Sequence, residues 1–200
     1  MKESKRIIMI LAVVVLSAAA ILAVINGSSR ENTSARIVYD CKVPLMSLST
    51  KIDIFVENEE YSTVSGNIFK LVEDPLTMRD GNGNEMARAG DDYHFIAQDS
   101  HSIIVDGVVT AEMVGLPTIV GEKYNILNST GEQIASAKFN MSDTVGEIRD
   151  MDGNLIAEYR SGLFARKFEV RIYDSCTIDD NTILMIVSSY FSDKEFEEEQ

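Results

Sequence analysis

The chain has 200 residues, 45% of them hydrophobic and 25% charged, the make-up of one ordinary globular domain with short appendages. Its formal net charge of −14 lacks the basic footprint on which nucleic-acid binding rests, so that class of partner is excluded.

The N-terminus is the most informative segment. Residues 1–6 hold Lys2, Lys5 and Arg6 against Glu3, a net +2 in side chains, which leaves −16 for the remainder. From Ile7 to Ile25 there is no charged residue, about the length of helix that crosses a hydrocarbon core. Positive charge before the span and little after it puts residues 1–6 in the cytoplasm and the rest outside. The competing reading is a cleaved signal peptide with its site at Ala18-Ala19-Ala20. The apolar run continues through Ile21, Leu22, Val24 and Ile25, so the single-pass anchor at 7–25 is preferred. Either way the domain is exported, and the expected location is the cell membrane with the domain extracytoplasmic.

Residues 26–50 form a stalk and lead-in, beginning with the small polar run from Asn26 to Ser34. Folded sequence starts between Ile37 and Lys51, and a domain is expected over 51–191 with an acidic tail at 192–200. Cys41 and Cys176 could close a disulfide in an oxidising compartment or stand as two buried thiols, and spacing alone does not decide.

Short apolar stretches separated by turn signals fill the domain: 52–56, 68–72, 103–109, 124–127 and 168–173. Several alternate with period two, as in Lys51-Ile52-Asp53-Ile54 and Lys167-Phe168-Glu169-Val170, which predicts strands with one buried face. Three segments share one template of apolar residue, any residue, Asp or Asn, a glycine three positions on, then Met or Ile followed by Ala. Their turn residues are Asp80 and Gly83, Asn128 and Gly131, and Asp150 and Gly153. Asp or Asn opens the turn through its own backbone and Gly takes the left-handed position, so each copy predicts a β-hairpin. A weaker fourth copy spans Val56 to Ser65, with Tyr61 where the glycine would be. The last apolar run, Thr182 to Phe191, follows Asp179-Asp180-Asn181 and is apolar almost all round. A buried helix is expected, with a central strand as the alternative.

Repeated hairpins with D-x-x-G-x-x-I-A turns, the strand Phe168 to Tyr173 and the closing run Asp180 to Phe191 resemble the tubby C-terminal-like superfamily. The nearest types are its LURP-one-related, scramblase-like and small bacterial members. The resemblance covers roughly Lys51 to Phe191. It implies a mainly β fold: a closed antiparallel β-barrel around a buried C-terminal helix. Tubby proteins bind phosphoinositides through basic residues, and no basic pocket maps onto positions in this sequence.

No catalytic, cofactor or metal signature is visible. Asp80, Asn82 and Asn84 are spaced as in a calcium loop, but Glu85 stands where the loop needs Gly, so a hairpin turn is the reading. His94 and His101 make no metal motif, and no nucleophile elbow or phosphate loop occurs. Gly115-Leu116-Pro117-Thr118 reads as a turn. Asn26, Asn32, Asn128 and Asn140 each begin an N-x-S/T sequon. The expected function is a non-enzymatic, membrane-anchored binding module for an unknown protein or lipid ligand, without cofactor. A lipid-handling module related to scramblases is the alternative.

Overall fold

The computed structural model describes residues 34–44, 49–67, 75–91, 100–162 and 166–198. The apolar segment 7–25, the stretch 68–72 and His94 lie outside them. Among the described residues no helix is long and apolar enough to cross a membrane.

Period-two alternation builds twelve strands: β1 (Ile37–Lys42), β2 (Ser49–Val56), β3 (Glu59–Asn67), β4 (Leu76–Arg79), β5 (Glu85–Asp91), β6 (Ser100–Val105), β7 (Val108–Leu116), β8 (Glu122–Leu127), β9 (Gln133–Phe139), β10 (Val145–Asp150), β11 (Leu155–Ser161) and β12 (Lys167–Ile172). Each pairs antiparallel with its neighbours in sequence, and β1 pairs with both β2 and β12, which closes the barrel. The first strand lies in the segment that the sequence left as lead-in, and it supplies the closure. The stretch 103–109 is two strands joined at Asp106-Gly107, both with positive φ (49° and 78°), a tight hairpin turn.

The hairpins β2–β3, β4–β5, β6–β7, β8–β9 and β10–β11 share one device. Each carries a bulge on its second strand, so that Tyr61, Met86, Thr110, Ile134 and Ile156 have no direct partner across the ladder. In each the next residue is small and buried: Ser62, Ala87, Ala111, Ala135, Ala157. The Met/Ile-Ala pair of the sequence template is therefore a bulge followed by a gap in the wall. In the weaker copy Tyr61 occupies the bulge position, not the glycine position.

That gap is filled by α1 (Asp180–Glu198). Asp179 caps it, its Oδ1 accepting the amides of Asn181 (2.9 Å) and Thr182 (3.2 Å). Every residue from Thr182 to Tyr190 is buried. At its start Asp180 accepts from Tyr39 of β1, Asn181 from Tyr61 of β3, and Thr182 meets the bulge hydroxyl of Thr110 of β7 at 2.8 Å. Towards its end Tyr190 stacks on Phe139 of β9, and Phe191 stacks on Phe168 of β12. A helix that touches strands on all sides of a closed ring lies within it. The helix reading holds over the strand alternative, and the helix continues to Glu198, into the acidic tail.

The barrel has two unlike ends. At the hairpin rim lie the five turns just described, the start of β1 and the start of α1. At the exit rim lie the β7–β8 and β9–β10 connections, and there α1 leaves the barrel beside Thr50, whose hydroxyl is 3.3 Å from that of Ser192.

Candidate functional site

The exit rim is built on an aromatic floor. Tyr190 lies flat on Phe139, ring centroids 3.6 Å apart, with Tyr124 and Tyr159 edge-on around it. Its hydroxyl donates to Asp143 Oδ1 in the β9–β10 turn, and the Tyr159 hydroxyl donates to the Asp143 carbonyl at 3.0 Å. Burial, then the bonded carboxylate, pushes the Tyr190 phenol far up, so it stays a donor. Asn140 pivots the same turn: its Oδ1 accepts the amides of Thr144 (2.9 Å) and Val145 (3.2 Å).

Against this turn packs the β7–β8 connection. Gly121 has φ +65°, and a Cβ there would collide with the Phe139 carbonyl oxygen. Thr118 donates its hydroxyl to the Gly121 carbonyl, closing the loop at its base. The loop so held displays Ile119 fully exposed and Val120 61% exposed, with Leu116 at 37%; Met141, in the neighbouring turn, is 77% exposed. Single exposed aliphatics are ordinary; here Leu116, Ile119 and Val120 are exposed together along the β7–β8 connection, with Met141 beside them in the next turn. The sequence showed only a turn at Gly115 to Thr118.

Charge surrounds this patch unevenly. On the outer wall Leu116 pairs with Lys123, and Lys123 pairs with Lys138, both lysines exposed. Several bases of the wall meet a carboxylate: Lys51 and Asp53 at 3.0 Å, Arg149 and Glu147 at 3.1 Å, Arg160 and Glu158 at 2.7 Å, Arg171 and Glu169 at 2.6 Å. Among the described residues Lys123 and Lys138 do not, and neither do Lys42 and Lys167, which face each other across β1 and β12 with Lys42 over the Phe55 ring. The hairpin rim carries Glu57, Glu59, Asp80, Asp106, Asp150 and Asp152.

The six turn residues singled out by the sequence sit at that hairpin rim, in three separate hairpins. Asp80 Oδ1 accepts the amides of Asn82 (2.9 Å) and Asn84 (2.8 Å), and Asp150 Oδ1 those of Asp152 (3.0 Å) and Asn154 (2.8 Å). Asn128 Oδ1 does the same for Thr130 and Glu132. Gly83, Gly131 and Gly153 have φ of 85°, 82° and 84°. Each opening side chain is engaged by its own loop, which is the geometry of a turn. Among the described residues no group of three or more His, Cys, Asp or Glu could hold a metal ion.

Cys41 and Cys176 are free, buried thiols. Cys41 lies opposite Phe168, while Cys176 follows the other end of β12, and about 13 Å of strand separates Phe168 from that end. Burial raises both thiols above the ordinary thiol value. His101 is buried in β6. The sequon residues Asn128 and Asn140 have their amide nitrogens bonded to Glu132 and Thr144; Asn26 and Asn32 lie outside the described residues.

Compared with family models, with curated proteins and with solved structures, the chain matches none.

Proposed function

We propose that this chain is a membrane-anchored, extracytoplasmic binding module without catalytic activity, and that the exit rim takes its partner, another protein. The single observation that carries the reading is the β7–β8 loop, pinned at Gly121 and Thr118 and presenting Ile119 and Val120 to solvent. Membership of the tubby C-terminal-like superfamily belongs to the same proposal. A closed antiparallel barrel of twelve strands with a C-terminal helix is consistent with that fold. The closed ring leaves no strand edge for a peptide to extend, so recognition runs through side chains at a rim. The anchor is the segment 7–25, and export follows from its flanking charge.

A lipid-handling module is the second reading, because exposed aliphatics also enter bilayers. The test is a photo-crosslinking amino acid placed at 119 or at 151 in the full chain, in its native membrane. The expected result is a protein adduct from 119 and none from 151. An adduct of lipid mass at 119 would move the reading to lipid handling, and no adduct at 119 would remove the proposal.

A further inference from the structure

We infer that the other protein bound at the exit rim presents a pair of carboxylates beside its apolar side chain, received by Lys123 and Lys138. This rests on the reading of the rim just given. The two lysines are fifteen positions apart in sequence, and the β8–β9 register sets them directly opposite each other on the outer wall. Like charges in that position repel unless something anionic lies between them. The nearby carboxylates are engaged elsewhere: Glu122 accepts the Tyr124 hydroxyl, and Glu147, opposite Lys138, is held by Arg149. Lys42 and Lys167 form a second such pair, but there Lys42 lies over the Phe55 ring; what sets Lys123 and Lys138 apart is that they adjoin the aliphatic loop. Leu116, opposite Lys123 on the other side, joins the pair to the aliphatic loop. The surface is thus apolar at the rim and cationic one step down the wall, and its complement is apolar and anionic in the same order. A carboxylate reaching both ammonium groups gains charge-assisted hydrogen bonds at a site where water competes less once the loop is covered.

The crosslinker at 119 in the full chain, in native membranes, is again the probe, now with Lys123→Glu/Lys138→Glu and Lys123→Arg/Lys138→Arg. The protein adduct is expected to fall roughly tenfold in the glutamate variant and to persist in the arginine variant. It is also expected to weaken as salt rises from about 0.05 to about 0.5 M. If the glutamate variant melts lower than the parent, Lys123→Gln/Lys138→Gln replaces it, with the same expected fall. An undiminished adduct in the charge-altered variants overturns this inference and leaves the binding module standing. An adduct of twice the chain's own mass, showing a second copy, overturns it as well. No protein adduct from the parent removes both.

Discussion

Asp80 and Asp150 open their hairpins charged, whereas Asn128 does the same work neutral. Each carboxylate is held below its ordinary 3.8, chiefly by the side-chain amide of Asn84 or Asn154 donating to it. The native state therefore binds fewer protons than the unfolded chain as pH falls past that value. The turns' contribution is complete above 3.8 and is lost as pH drops through the lower folded-state values. Asn at both positions would still offer an oxygen to the two loop amides. The variant Asp80→Asn/Asp150→Asn is expected to flatten the fall of the urea midpoint between about pH 4 and about pH 2, relative to the parent. An acid limb identical in both proteins would contradict this account of the turns. These residues were legible because turn chemistry is local: an acceptor, a glycine and their spacing suffice.

At the scale of elements, the repeated Ala after each bulge is explained by the helix. Ala87 of β5, a strand that packs on the helix, is buried across the ladder from Met78, and its counterparts at 111, 135 and 157 are likewise buried. Ala87→Leu should overfill the space between wall and helix and cost about 1–3 kcal/mol, read as a lower urea midpoint with an unchanged slope. A neutral result would mean that the helix does not press on this wall. The template could be read as a hairpin from sequence, but not as a bulge, because a bulge is a property of two strands in register. For the same reason the hairpin at Asp106-Gly107 passed as one apolar stretch: its turn is only two residues long, and valines continue on the far side. The C-terminal helix was legible because Asp179 is a strong cap and the run after it is apolar on every face. The first strand was not, since Ile37–Lys42 has polar neighbours and acquires its role only by closing the ring between β2 and β12.

For the whole molecule, net charge alone was a poor guide. Acids such as Asp80 and Asp150 lie in the hairpin turns, and Lys123 and Lys138 lie towards the other end, a placement that a bulk value of −14 does not show. Which residues share a rim follows from strand order, and a turn-like string such as Gly115 to Thr118 says nothing of whether the aliphatics beyond it are covered. Two methionines make the asymmetry measurable: Met141 at the exit rim is 77% exposed and Met151 at the hairpin rim 61% exposed. The most direct measurement is peroxide oxidation of both, in the purified full chain and in intact native membranes, read by peptide mass. The account expects both to oxidise when purified, and Met141 alone to be protected in the native membrane. Equal oxidation of Met141 in the two settings, or protection of Met151 in its place, would contradict the assignment of the exit rim as the working surface.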